Sequence, residues 1–117
     1  MKEKYIGLHI IADLYNCDFV LLKKIKLGNL RSKVSTIIKE NGLHELGNFY
    51  KEFSEGAYSG IISLTESHLA FHSWPEIDYI SLDIFVCNYQ RDDTKKAMSL
   101  YKDMLKLFSP KKIRTKF

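Results

Sequence analysis

The run YISLDIFVC, residues 79–87, alternates aliphatic and other side chains over its whole length. Because successive side chains of a β-strand point to opposite faces, this pattern predicts a strand with one buried face. The expected buried face holds Ile80, Leu82, Ile84 and Val86, and the opposite face holds Ser81, Asp83, Phe85 and Cys87.

Three more segments with the composition of strands come just before it, at about 43–53, 58–65 and 68–74. Gly56 lies between the first two, and Glu66-Ser67 lies in a very short link between the second and third. Links of this length join antiparallel strands, since a parallel pair needs a long crossover. The middle of the chain is therefore predicted to form an antiparallel sheet.

The flanking regions supply the outer strands. Tyr5 to Tyr15 is rich in β-branched and aromatic residues and predicts the first strand, and Ile113 to Phe117 predicts the last. Asp18 can cap a short helical turn after the first strand. With the helices described next, the predicted order is β-α-β-β-β-β-α-β. This is an α+β two-layer sandwich, an antiparallel sheet with helices packed on one face.

Two longer helices each have an apolar stripe and a defined end. The first ends at Asn41-Gly42, and the second begins at Asp92 and Asp93 and ends before Pro110. Apolar residues recur at helical spacing in both, so each helix can cover a sheet face. The stripes are Leu30, Val34, Ile37 and Ile38 in the first helix and Ala97, Tyr101, Met104, Leu105 and Phe108 in the second.

The composition is that of one ordinary globular domain, residues 1–117. The chain has 45% hydrophobic residues and a formal net charge of +4, which argues against disorder. No apolar run approaches the roughly 20 residues that span a bilayer, and His9 and Asp13 interrupt the N-terminal apolar stretch. Basic residues at 111–116 are interpreted as a solvated final strand, because no nucleic-acid-binding motif accompanies them. We expect a cytoplasmic protein that binds neither membranes nor nucleic acid.

The segment TESHLAFHSWPE, residues 65–76, concentrates reactive side chains. On a strand, His68, His72 and Trp74 share one face. Two histidines four positions apart can bind zinc on a helix, but this segment is predicted to be a strand and no third ligand is evident. A serine hydrolase fits the composition, although no nucleophile-elbow pattern surrounds Ser67. From the residues alone, a serine, an imidazole and a thiol are expected near one another.

Together these motifs resemble the processing and active-site region of bacterial S-adenosylmethionine decarboxylase, a pyruvoyl enzyme. The resemblance covers most of the chain and implies a single domain that decarboxylates S-adenosylmethionine. The matching residues are Glu66-Ser67-His68-Leu69, His72, Trp74-Pro75-Glu76, Asp83 and Cys87, with Gly7, His9, Asp13-Leu14-Tyr15, Cys17-Asp18 and Tyr58-Ser59-Gly60 upstream.

The resemblance implies that the chain cuts itself between Glu66 and Ser67. The Ser67 hydroxyl would attack the carbonyl carbon of Glu66, and Ser59 would help to stabilise that step. His72 would then take the Cα proton of residue 67, and elimination followed by hydrolysis would leave a pyruvoyl group. Ser59 has the same parity as Ser67, which is compatible with a shared sheet face.

In the decarboxylation that the resemblance implies, the substrate amine forms a Schiff base with the pyruvoyl ketone. Cys87 would return a proton to the substrate carbon, since an ordinary cysteine thiol is mostly protonated at neutral pH. Phe53 would stack on adenine, and Trp74 and Glu76 would line the substrate pocket. His9 and Cys17 are assigned packing or hydrogen-bonding roles.

By resemblance the two products of cleavage, a β chain of residues 1–66 and an α chain of residues 67–117, stay together. Two such units form a homodimer with active sites near the interface. The cofactor would be the pyruvoyl group made from Ser67, with no pyridoxal phosphate and no metal. The product, decarboxylated S-adenosylmethionine, is the aminopropyl donor for spermidine biosynthesis.

The chain departs from the family before the cleavage strand, where a His-x-Phe-x-Pro-x-Gly-Val-Ser-Gly type of run is usual. Lys51 replaces the histidine, the proline is absent and Tyr58 replaces the valine. Two alternatives therefore stay open. The same chemistry could act on ornithine or arginine, with Glu52 or Glu55 pairing with a cationic side chain. An unprocessed homologue could instead be a non-catalytic binding or regulatory subunit.

Overall fold

The computed structural model of the protein describes residues 6–117. Its strands form one antiparallel sheet in the order β2-β3-β4-β5-β1-β6. The bounds are β1 Gly7–Tyr15, β2 Glu45–Ser54, β3 Ala57–Leu64, β4 Ser67–Trp74, β5 Tyr79–Cys87 and β6 Lys112–Lys116. Strands β2 to β5 follow one another as a meander, because the links between them are too short for a crossover.

The helices are α1 Phe19–Leu22, α2 Leu27–Glu40 and α3 Thr94–Phe108, and a single 3-10 turn spans Pro75–Ile77. The Asp18 carboxylate caps α1 by accepting a hydrogen bond from the Leu21 amide at 3.2 Å. Gly42 follows α2 at φ +71°, in the left-handed region that favours glycine after a helix. Helix α2 packs against β2, and α3 packs against β1 and β5.

The apolar core lies between these helices and one face of the sheet. No helix within residues 6–117 covers the other face, which we call the open face. Along it, cross-strand pairing lines up Phe49, Ile61, Ala70, Asp83 and Ile11 in one row from β2 to β1. The largest fully buried side chains of the core are Phe71, Phe108, Ile10, Leu14, Leu30, Ile38, Ile62, Leu64, Leu69, Ile80, Leu82 and Ile84.

The predicted fold class and order of elements are confirmed, as is the alternation of β5. The first strand begins at Gly7, and its predicted start at Tyr5 lies outside the described residues. Most of the predicted α3 stripe is buried, but Leu105 is only half-buried and Leu100 is buried in its place. The basic C-terminal residues form a largely exposed edge strand, as predicted. No helix in the described range has the length and apolar content needed to cross a bilayer.

Gly60 of β3 lies against the ring of Phe71, a fully buried residue of β4. A Cβ atom at position 60 would be 2.6 Å from the nearest ring atom, so the buried ring would have to move. We expect Gly60→Ala to lower the free energy of unfolding by about 1–3 kcal/mol, the usual effect of overpacking a core. Chemical denaturation measures this change. Gly47→Ala is the matched control, because nothing lies within 4 Å of a Cβ there. Equal effects of both substitutions would contradict the packing argument.

Candidate active site

The turn between β3 and β4 places a strained residue directly before Ser67. The last pair of the hairpin is Leu64 with Ser67, so Thr65 and Glu66 form a two-residue loop. Glu66 has φ +53°, in the left-handed region. This conformation costs a residue with a side chain about 1–2 kcal/mol. The bond predicted to break therefore follows a residue whose backbone is held in an unfavourable conformation.

Ser67 and Cys87 lie side by side at the ends of β4 and β5. The backbone amide of Cys87 donates a hydrogen bond of 3.0 Å to the Ser67 Oγ. The Cys87 Sγ is 3.8 Å from a carboxylate oxygen of Glu66 and 3.5 Å from the Tyr89 amide nitrogen. We call Glu66, Ser67 and Cys87 the cleavage group. The structure thus brings together the predicted cut site and the predicted proton donor.

A cavity of about 190 Å³ opens beside the cleavage group, and its other walls come from the loops after α2 and β5 and from the start of α3. Lys96 of α3 and Arg91 line it together with the carboxylates of Glu66 and Asp93. The Lys96 Nζ donates to the Gly42 carbonyl oxygen at 3.2 Å and lies 3.7 Å from an Asp93 carboxylate oxygen. Reactants can therefore reach Ser67 and Cys87 from this end of the sheet.

Ser59 and His72 form a second pair, on the open face. They are cross-strand partners in β3 and β4, and the Ser59 Oγ is 2.8 Å from the His72 Nδ1. Within residues 6–117, no carboxylate hydrogen-bonds to His72. The pair therefore lacks the acid that would orient the histidine in a Ser-His-acid hydrolase.

The two pairs are far apart in one chain, which corrects two expectations. His72 follows Ser67 by five strand positions, or roughly 16–17 Å at the usual rise per residue. Five is an odd number, so their side chains point to opposite faces of β4. Ser59 faces His72 and Ser67 pairs with Leu64, so the predicted shared face of Ser59 and Ser67 is wrong. The serine, imidazole and thiol expected near one another form two separate groups.

The predicted substrate-binding residues lie at the same end of the sheet as Ser59 and His72. Trp74 ends β4, Glu76 is in the following 3-10 turn, and Phe53 is near the β2–β3 turn. Phe53 is 69% exposed and Trp74 41% exposed, so each presents a ring face to solvent. We use the name histidine group for five residues at this end: Phe53, Ser59, His72, Trp74 and Glu76. Its members have the chemistry to hold a nucleoside, but they are remote from Ser67 of the same chain.

Tyr79 supports the aromatic part of this group. Its ring centroid is 5.3 Å from that of Trp74, and its hydroxyl donates to the Asp13 carboxylate. Burial, together with the hydrogen bond to Asp13, raises the pKa of Tyr79 to about 12. The hydroxyl therefore stays protonated at neutral pH and keeps its bond to Asp13, which fixes the ring beneath Trp74.

The two cysteines differ in their surroundings. Cys17 is 4% exposed, and its thiol points to the Leu14 carbonyl oxygen at 3.5 Å. Burial, with a smaller contribution from the Asp78 carboxylate, raises the pKa of the Cys17 thiol to about 11. Cys17 is thus a packing residue, whereas Cys87 is half-buried beside the predicted cut site.

The sequence did not predict one cluster of polar side chains. His9, His68 and Asp83 meet on the open face, with the Asp83 Oδ1 at 2.8 Å from the His9 Nε2 and 3.0 Å from the His68 Nε2. The only signal for it was strand pairing, which places both histidines opposite Phe85. His68 and His72, considered above as a zinc pair, are roughly 13 Å apart along β4 and cannot share an ion.

Comparison with known proteins links this geometry to one family. The family model described as S-adenosylmethionine decarboxylase matches residues 8–116. The chain is 36% identical over 109 residues to an S-adenosylmethionine decarboxylase proenzyme of Archaeoglobus fulgidus, covering 93% of this chain and 92% of that protein. It is 35% identical over 114 residues to the proenzyme of Persephonella marina, covering 97% of this chain and 81% of that one.

The fold is also similar to a solved structure. The crystal structure of the adenosylmethionine decarboxylase from Aquifex aeolicus superposes with a TM-score of 0.82 at 27% sequence identity. The match covers 97% of this chain and 89% of the other. The sheet, the helices and their order are therefore shared over nearly the whole length of both chains.

Proposed function

This chain belongs to the S-adenosylmethionine decarboxylase family, and on that premise we propose that it is a self-cleaving, pyruvoyl-dependent enzyme that decarboxylates S-adenosylmethionine. The observation that carries the proposal is the left-handed backbone conformation of Glu66 directly before Ser67, with the Cys87 side chain beside them. Attack by the Ser67 Oγ on the Glu66 carbonyl carbon would turn the amide into an ester and release the nitrogen of Ser67 as an amine.

The residues around position 67 fit a pyruvoyl group made from the chain itself. Position 67 starts a strand that stays paired with β3 and β5 after the cut, so the new N-terminus would remain anchored. The group supplies a ketone that takes up the substrate amine and an adjacent carbonyl that accepts electrons when carbon dioxide leaves. Cys87 is a proton donor beside that position, and Lys96 and Arg91 are the cations of the cavity lining that could pair with the substrate carboxylate.

The separation of the two groups supports a site shared between two chains. Removing the Cα proton at residue 67 requires a base within hydrogen-bond reach, and His72 of the same chain is roughly 16–17 Å away. A second copy in the opposite direction would place its histidine group against the first chain's cleavage group. We therefore propose a homodimer with two equivalent sites, each built from both protomers.

The open face suits such a pairing. The midpoint between positions 67 and 72 of β4 falls beside Ala70, which belongs to the row of Phe49, Ile61, Ala70, Asp83 and Ile11. A two-fold axis that runs along this row, between the two packed sheets, reverses the strand direction and so exchanges the two ends of β4. Phe49 is 60% and Ile61 50% exposed in one chain. Packing two such faces about 10 Å apart would bury these side chains.

The open face also favours S-adenosylmethionine over a basic amino acid. Glu52, considered as a partner for a cationic side chain, pairs with Tyr58, which is buried on the helix side of the sheet. On the open face the neighbour of Ser59 is Lys51, a cation. Tyr58 itself ties β3 to the helices, because its hydroxyl donates to the Ile25 carbonyl oxygen. Tyr58 and Lys51, which differ from the usual residues of the family at these positions, thus add packing and positive charge rather than an acidic pocket.

A direct comparison of substrates tests the assignment. Purified protein is incubated separately with carboxyl-labelled S-adenosylmethionine, ornithine and arginine, and the released carbon dioxide is counted. We expect release from S-adenosylmethionine to exceed that from either amino acid by at least about a hundredfold, because only the nucleoside can use the stacking surface of Phe53 and Trp74. Faster release from ornithine or arginine would contradict the assignment of S-adenosylmethionine as the substrate. The cytoplasmic location and the link to spermidine stay predictions.

A further inference from the structure

We propose that His9, His68 and Asp83 form a binding site for one divalent transition-metal ion, of the zinc and cobalt class, on the open face. The three residues come from adjacent strands, β1, β4 and β5. The site lies outside the decarboxylation chemistry, for which the family resemblance implies no metal.

The sheet brings the three side chains together. His9 and His68 are both cross-strand partners of Phe85, so their backbones are two strand spacings apart, about 10 Å. Their rings flank Phe85 and lean towards each other, with centroids 6.1 Å apart. Asp83, two residues from Phe85 on the same face of β5, directs its Oδ1 between the two Nε2 atoms. Since these strands are in the middle of the sheet, the ligand positions are fixed before any ion arrives.

The distances match those between neighbouring ligands of one ion. Bonds of about 2.0–2.2 Å to nitrogen and oxygen place two ligands about 3.0–3.4 Å apart at octahedral or tetrahedral angles. The Asp83 Oδ1 lies 2.8 Å and 3.0 Å from the two Nε2 atoms, and all three ligand atoms lie within 4.8 Å of one another. The two distances to Asp83 thus already suit a shared ion, and side-chain rotation would bring the two Nε2 atoms to the same separation.

The ligand types select the class of ion. Two imidazoles and one carboxylate suit zinc, cobalt, nickel or ferrous iron, whereas magnesium and calcium prefer oxygen alone. Binding of an ion through Nε2 requires that atom to carry no proton, so each ring would hold its N–H on Nδ1. The side chains are 41–46% exposed in one chain, and the homodimer proposed above would cover them, so water held between the two sheets would fill the remaining coordination positions.

Titration of the untagged, metal-free protein with Co²⁺ tests the site, because the visible d–d bands of Co²⁺ report its ligands and geometry. We expect one ion per chain, and we expect His9→Ala and Asp83→Asn each to weaken binding by at least about tenfold. His44→Ala is the matched control, since His44 is outside the cluster, and should leave binding unchanged. Circular dichroism and thermal unfolding confirm that each variant is folded.

Three outcomes would overturn the proposal. If the wild-type protein shows no saturable Co²⁺ band, the cluster is only a hydrogen-bonded one. Binding equal to wild type in both His9→Ala and Asp83→Asn would place the ion elsewhere. An intense thiolate-to-cobalt band would point to Cys87 instead. None of these results depends on whether the chain cleaves itself or decarboxylates any substrate.

Discussion

Replacing Ser67 with alanine is expected to leave the chain as one species of 13.7 kDa and to abolish release of carbon dioxide from S-adenosylmethionine. Alanine has no hydroxyl to attack the Glu66 carbonyl, so neither the cut nor the electrophile can form. Intact mass under denaturing conditions measures the first effect. In the wild-type protein the same measurement should give two pieces, 1–66 and 67–117, with the second blocked to N-terminal sequencing.

Ser63→Ala is the matched control for this experiment. Ser63 is an exposed serine of the same hairpin, opposite His68, and has no place in the proposed reaction. This variant should be cut as completely as the wild type. Two pieces and full activity from Ser67→Ala would contradict the proposed chemistry. A wild-type chain that stays whole after long incubation would favour the alternative of an unprocessed binding or regulatory subunit.

The sequence predicted the fold well because the relevant signals are local. The alternation in β5, the turn at Glu66 and the stop at Asn41-Gly42 each depend on residues within a few positions of one another. Such signals can be read without knowing how distant parts of the chain pack.

The arrangement of the site could not be predicted in the same way. Parity along the chain suggested a common face for Ser59 and Ser67, but the hairpin turn between them resets the alternation, and register decides which residues pair. The cluster of His9 with Asp83 depends on β1 pairing with β5, a contact between residues 74 positions apart in sequence. Long-range pairing leaves no local pattern in the sequence, so both features can be recognised only from the strand pairing of the folded sheet.

Mixing two inactive variants is expected to restore cleavage if each site is built from two protomers. Ser67→Ala lacks the residue that is cut but keeps His72, whereas His72→Ala keeps Ser67 but lacks the base. In a mixed dimer, the Ser67 of the His72→Ala chain faces the intact His72 of its partner. When the two are co-expressed in equal amounts and pair at random, about half of the His72→Ala chains should be cut. The Ser67→Ala chains should remain whole.

Mass spectrometry distinguishes the chains, because each substitution changes the mass of its own chain. The matched control replaces the Ser67→Ala partner with a chain that carries both Ser67→Ala and His72→Ala. This partner forms the same dimers but supplies no imidazole, so cleavage should fall to the level of His72→Ala alone. If the first mixture is no better than this control, the base acts within its own chain. In that case β4 would have to rearrange, since its two ends are roughly 16–17 Å apart and face opposite sides of the sheet.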